Sequence, residues 1–216
     1  MRHESKPPQA IPTRYAGVHF RSMLEARWAA FFDAMQWPWL YEPQELGGYI
    51  PDFVLTFARP ILVEVKPEYS FEALGSHFSK IRKSGWLGRA MVVGVAPIRH
   101  GYNDNEMAIG SIECEESALG DDEAVGRDVA RLTECTECKR HSMVVLWGAW
   151  SCLLCGYYDG DHGFHVVEHG RVEDIWRRSS SCVQWGRQIH RSDPEPTKQL
   201  NEWSSRLTDR NRGGAP

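Results

Sequence analysis

The segment Ile61-Leu62-Val63-Glu64-Val65-Lys66-Pro67 is apolar and β-branched enough to be a central strand, yet it carries two charges. Continuous apolar runs of this kind belong to sheets covered on both faces. Side chains alternate along a strand, so Glu64 and Lys66 point the same way. Burying charge is costly unless the charge is paired or holds an ion. A third charge, Asp52, interrupts the apolar stretch Tyr49 to Phe57, 12 residues before Glu64, a separation that suits a tight hairpin. Glu64 and Lys66 alone would read as a salt bridge at a sheet edge. With Asp52 added, two adjoining strands presenting a shared charged cluster is the better reading.

The surrounding elements fit such a sheet. Leu24, Trp28, Phe31, Phe32 and Met35 fall on one stripe at helical spacing, which predicts a helix over 22–36. Ser22 is its N-cap and Pro38 blocks its extension. Trp39 to Pro43 reads as a short strand, Gly47-Gly48 as a turn, Tyr49 to Phe57 and Pro60 to Pro67 as strands. Ser70 caps a second helix with Phe71, Leu74, Phe78 and Ile81 inward and Gly85 as its stop. Ala90 to Val95 is a fourth strand, and Met107 to Ile112 a candidate fifth. Helix, three strands, helix, strand implies a mixed α/β sheet with helices packed on it.

Mg2+ prefers hard oxygen ligands. Asp52, Glu64 and the Val65 carbonyl would hold one such ion (or Mn2+) between neighbouring strands. The ion would activate water and offset charge on a scissile phosphate. Lys66 would orient the water or stabilise the transition state. Glu25 has two readings. Ser22-Met23-Leu24-Glu25 is a capping box, in which the glutamate reaches back to the N-cap amide. It also lies beside the apolar stripe, where it can face the sheet's carboxylates.

These residues resemble the PD-(D/E)xK nuclease superfamily. The likeness is carried by Phe20-Arg21-Ser22-Met23-Leu24-Glu25-Ala26-Arg27-Trp28-Ala29, Tyr41-Glu42-Pro43, Tyr49-Ile50-Pro51-Asp52-Phe53 and Glu64-Val65-Lys66-Pro67, within residues 14–97. It is similar to small phage-like endonucleases and the TnsA-like branch. The resemblance implies a restriction-endonuclease-like mixed sheet flanked by helices. It implies Asp52 and Glu64 as metal ligands, Lys66 as the catalytic lysine and Glu25 as the helix carboxylate completing the site. Glu42 is left out of the set, because alternation can turn it away. Lys80, Arg82 and Lys83 on the second helix are candidate phosphate contacts, or a solvated face.

A second constellation lies further on. Cys135-Thr-Glu-Cys138 and Cys152-Leu-Leu-Cys155 form two C-x-x-C knuckles separated by 13 residues. Met143 to Trp147 between them suits a strand, with a turn near Gly148. This is a zinc-ribbon layout, and four thiolates suit closed structural Zn2+. An iron–sulfur cluster uses the same ligands; a redox dithiol would sit at a strand-to-helix turn of a thioredoxin-like unit. Lys139 and Arg140 beside the first knuckle are candidate phosphate contacts. Trp147 and Trp150 suit either base stacking or core packing. Cys114 and Cys182 read as ordinary, and His162, His165 and His169 as surface or packing residues.

Composition bounds the rest. A chain of 216 residues suits one domain with a small appended module. The expected division is a flexible arm over 1–12, a nuclease core over 13–112, an acidic linker over 113–131, a C-terminal zinc-ribbon module with extension over 132–190, and a polar tail over 191–216. The overall charge of −4 does not by itself favour nucleic acid. Residues 113–128 sum to −6, which leaves a mildly basic +2 for the remainder. No apolar run is long enough to span a membrane and the first residues lack a signal peptide's apolar core, so a soluble cytoplasmic protein of a bacterial or phage-infected cell is expected. The expected function is a metal-dependent DNA endonuclease whose ribbon contacts DNA or a protein partner, with a homodimer suited to double-strand cuts. The alternatives are a branched-DNA resolvase or exonuclease, and a non-cutting zinc-dependent DNA-binding or assembly subunit.

Overall fold

A computed structural model of the chain describes residues 10–100, 106–113, 127–145, 151–158 and 163–184. The chain opens with a hairpin of β1 (Thr13–Tyr15) and β2 (Val18–Phe20). Its two-residue turn places Ala16 at φ 48 and Gly17 at φ 83, the doubly positive arrangement that matches strand twist. Helix α1 (Met23–Ala34) follows, with Ser22 accepting the Glu25 amide as its cap. Three strands come next: β3 (Trp39–Tyr41), β4 (Phe53–Leu55) and β5 (Ile61–Val65).

The crossover from β5 is α2 (Phe71–Leu74), a 3₁₀ turn (Gly75–His77) and α3 (Phe78–Lys83). The single helix expected there is interrupted. The Ser76 hydroxyl donates to the Ala73 carbonyl at 2.8 Å, and Gly-Ser is a weak helix former. The chain then forms β6 (Arg89–Val93), β7 (Ile98–His100), β8 (Glu106–Glu113), β9 (Arg127–Cys135), β10 (His141–Val145), β11 (Phe164–Val166) and α4 (His169–Gln184).

The main sheet is mixed, in the order β10-β9-β8-β6-β5-β4-β3, with β11 also on β9 and β7 also on β8. Strands β5 and β6 are parallel, as a helical crossover requires. Alternation along them divides the core. Val63, Val65, Met91 and Val93 join Trp28, Phe31 and Phe32 on one face. Leu62, Ala90 and Val92 join Leu74, Phe78 and Ile81 on the other. Helix α4 covers the first face beside α1, with Trp176 against Trp28 at 4.6 Å between ring centres. The apolar run that carries Glu64 is therefore covered on both faces.

Several expectations change. The strand expected over Tyr49 to Phe57 is only Phe53–Leu55. Pro51 has no amide to donate, and Tyr49 is held in a turn by hydrogen bonds with Leu46. The cysteine segment is not a separate C-terminal module. β9 begins inside the stretch read as linker and pairs with β8 over its first half and with β10 and β11 over its second. The sheet is thus continuous across the boundary placed at 131/132. The Trp37 indole also donates to the His141 carbonyl at 2.9 Å, tying β10 to the segment after α1. The chain then returns through α4 to pack on α1. Residues 114–126 of the acidic stretch, Gly148, Trp147, Trp150, Cys114, His162, the first arm residues and the polar tail lie outside the described residues.

Candidate functional site

Strands β4 and β5 pair antiparallel with Phe53 opposite Val63. Asp52 lies just ahead of β4, one residue beyond the Phe53–Val63 pair, and its side chain reaches β5 next to Glu64. Both carboxylates are buried, at 5% and 3% exposure. Asp52 Oδ2 accepts the Val65 amide at 2.8 Å. Its Oδ1 accepts Arg21 Nη2 at 2.8 Å. Glu64 accepts the Tyr49 hydroxyl on one oxygen and Lys66 Nζ on the other. Lys66 is half-buried, just past the end of β5, and its amide donates to the Val93 carbonyl at 2.9 Å. Val65 closes β5, presenting its amide to Asp52.

Electrostatics follow from this packing. Burial, reinforced by the charge of Glu64, pushes Asp52 up to about 7 against the Val65 amide and Lys66. Burial and Glu64 likewise push the Tyr49 hydroxyl well above its ordinary value, so it remains a donor. Counting Glu25 and Glu42 with Asp52 and Glu64, four carboxylates face the two cations Arg21 and Lys66.

Glu25 fulfils its capping role and also joins the cluster. Its oxygens accept the Arg21 amide at 3.1 Å, the Ser22 hydroxyl at 2.8 Å and the Tyr41 hydroxyl at 2.6 Å. The reach goes one residue beyond the expected N-cap amide. It is 8% exposed, and its charge contributes to raising Asp52. Burial, together with the bond to Glu25, raises the Tyr41 hydroxyl above its ordinary range.

Three participants escaped the sequence reading. Arg21 bridges Asp52 and Glu42, the latter at 2.6 Å. Glu42 faces the site because its backbone turns to φ 43, which breaks strand alternation. Tyr49 supplies the Glu64 donor. Arg21 and Tyr49 stand within the quoted motifs, but nothing in residue type or spacing gives them a partner.

The candidate phosphate contacts divide. Lys80 is exposed on α3 with Nζ 5.0 Å from the Tyr49 ring centre, beside the carboxylates. Lys83 is exposed on the same helix. Arg82 is not presented to solvent as a phosphate contact would be. Its Nε donates to Glu113 at 2.6 Å and Nη1 reaches the Trp86 and Gly88 carbonyls, so it holds β8 and the turn before β6.

The four cysteines converge. The ligand sulfurs of Cys135, Cys138, Cys152 and Cys155 all lie within 4.8 Å of one another. Cys135 and Cys155 are 3.9 Å apart, Cys138 and Cys152 3.7 Å. Metal–sulfur bonds of about 2.3 Å in a tetrahedron imply an edge of about 3.8 Å, so the set fits zinc. Each knuckle closes the same way: the residue after its second cysteine donates back to the first cysteine's carbonyl, Lys139 to Cys135 and Gly156 to Cys152, both at 2.9 Å. Both closing residues have positive φ, 56 and 75. Although burial opposes it, hydrogen bonds centred on Arg140 hold Cys138 down to about 7, while burial raises Cys135 and Cys155. Lys139 and Arg140 are exposed beside the first knuckle. Among the described residues no other group of three or more His, Cys, Asp or Glu is as tightly gathered, and His165 and His169 take no part.

No family model, curated protein or solved structure matches the chain.

What the carboxylate cluster can do is therefore a matter of its own chemistry. Two buried carboxylates, a carbonyl at a strand end and an ammonium suit a hard divalent cation and an anionic substrate. Among the described residues no helix is long and apolar enough to cross a membrane.

Proposed function

We propose that the chain is a metal-dependent DNA endonuclease of the PD-(D/E)xK type, with a zinc site built onto the same sheet. The observation that carries this reading is the gathering of Asp52 and Glu64, with Asp52 on the Val65 amide and under the charge of Glu64, and Lys66 bonded to Glu64. Mg2+ or Mn2+ fits the donor set, because all the candidate ligands are oxygens and the four carboxylates gathered here outnumber the two cations. Asp52, Glu64 and the Val65 carbonyl would hold it. When bound, such an ion supplies Lewis acidity toward the scissile phosphate and lowers the pKa of the attacking water.

The remaining work falls to the chain. Val65 fixes Asp52 through its amide, and Tyr49 fixes one oxygen of Glu64. Lys66 places a cation where negative charge grows on the phosphate. Glu25 stays bonded to Arg21, Ser22 and Tyr41 and sets the local field rather than leaving its cap. Lys80, Lys83, Lys139 and Arg140 supply exposed positive charge for a DNA backbone. The cysteine cluster organises the end of the sheet that would meet DNA or a protein partner, and a second copy of the chain would provide the second cut.

One observation favours a second reading, a DNA-binding or assembly subunit that does not cut. Asp52 and Glu64 are each already ion-paired, to Arg21 and Lys66. Supercoiled, linear, single-stranded and four-way-junction DNA, each incubated with Mg2+ or Mn2+, separate the readings. The nuclease reading expects metal-dependent cutting that Asp52→Asn and Lys66→Ala abolish with DNA binding kept. Wild-type protein that binds these DNAs and cuts none would support the second reading. A preference for junctions or for free ends would identify a resolvase or an exonuclease.

A further inference from the structure

We infer that Arg21 is a substrate-phosphate ligand, parked on Asp52 until a divalent cation displaces it; this rests on the nuclease reading of Asp52. Four carboxylates gather here, those of Glu25, Glu42, Asp52 and Glu64, against two cations, Arg21 and Lys66. The guanidinium occupies Oδ1 of Asp52 while the Val65 amide occupies Oδ2. The amide belongs to the paired strands and is fixed. The guanidinium is held less firmly: the Arg21 side chain is 57% exposed, and its other hold is the Nε pair with Glu42, itself 30% exposed. Of the two occupants of Asp52, Arg21 is the one an incoming cation would exchange with.

The backbone supports an exchange of this kind. The Arg21 amide is anchored by Glu25 at 3.1 Å and by the Tyr41 hydroxyl at 3.0 Å, just ahead of α1. The Cα is thus held at the edge of the site while the long side chain swings outward. Divalent charge arriving at Asp52 and Glu64 balances the carboxylates, and the freed guanidinium is left beside the place where a phosphate would bind. Its planar fork of donors matches phosphate oxygens better than a point charge does. Metal loading and substrate capture would be coupled through one side chain.

Mn2+ binding to the zinc-loaded full chain, followed by loss of the free Mn2+ paramagnetic resonance signal, tests this without any cutting. Arg21→Gln is expected to bind Mn2+ roughly two- to fivefold more tightly than wild type, the weight of a partly exposed ion pair. In Ca2+, the same variant is expected to bind a short duplex more weakly, with a salt slope lower by about one phosphate contact. Equal or weaker Mn2+ binding by the variant overturns the inference and leaves the metal site standing. Tighter Mn2+ binding with unchanged DNA affinity and salt slope overturns the phosphate role. Absence of Mn2+ binding in both proteins overturns the inference and the nuclease reading together.

Discussion

At the scale of single residues, burial and the proposed metal make opposing demands on Asp52. Its carboxyl is raised to about 7 by burial and by Glu64, with Glu25 adding to the push and Val65 and Lys66 opposing it. The folded state therefore holds an extra proton between the ordinary carboxylate range and about pH 7. Stability of the metal-free chain is expected to fall as pH rises through that window, measured by thermal melting at successive pH values. Asp52→Asn removes the ionised form and is expected to stabilise the metal-free protein at pH 8 by roughly 1–3 kcal/mol while abolishing cutting. A structural ion pair with Arg21 would predict the reverse, a lower melting temperature. On the proposed nuclease reading, protons would compete with metal for Asp52, so cutting at limiting Mg2+ is expected to rise through about pH 7, and saturating Mg2+ should move that rise to lower pH.

At the scale of elements, Gly94 shows how closely the chain leaving β6 approaches the segment that follows β5 and Lys66. A Cβ there would lie 2.6 Å from the Glu68 carbonyl and 3.0 Å from the end of Ile98. The Val95 amide donates to that same Glu68 carbonyl at 3.0 Å. Gly94→Ala is expected to shift residues 66–68, costing about 1–3 kcal/mol in denaturant unfolding and lowering kcat with KM nearly unchanged. Elements that bury continuous apolar surface were legible in the sequence: the α1 stripe, and β5 and β6 as β-branched runs. Others were hidden for physical reasons. The β1–β2 hairpin uses three-residue strands joined by Ala-Gly, without the usual Asn-Gly signal. Helix α4 buries only scattered residues, Val172, Ser179 and Val183 among them, and contains Ser179-Ser-Ser181, which weakens its helical pattern. In the candidate site, Glu64 was legible because charge inside an apolar strand demands a reason, and Asp52 and Lys66 because they interrupt the apolar runs at the ends of β4 and β5. Arg21 and Glu42 were not, because an exposed arginine before a helix carries no such demand and a positive φ cannot be read from Glu-Pro.

At the scale of the whole molecule, the cysteine cluster and the carboxylate cluster share one sheet, through β9, β8, β6 and β5. Coupling should fade along that path. Removing the metal from the cysteines with a strong chelator is expected to speed hydrogen exchange in β10 and β11 and the knuckles, while β5 and α1 keep their protection. Uniform loss of protection would mean that the thiolate site holds the entire fold. The proposed chemistry needs a divalent ion shared by Asp52, just ahead of β4, and Glu64 of β5. Crystals soaked in Mn2+ and measured for anomalous scattering test this most directly. A peak in contact with both Asp52 and Glu64, with Arg21 turned away from Asp52, is the predicted result. Saturating Mn2+ with no peak between those carboxylates, and Arg21 still bonded to Asp52, would contradict it.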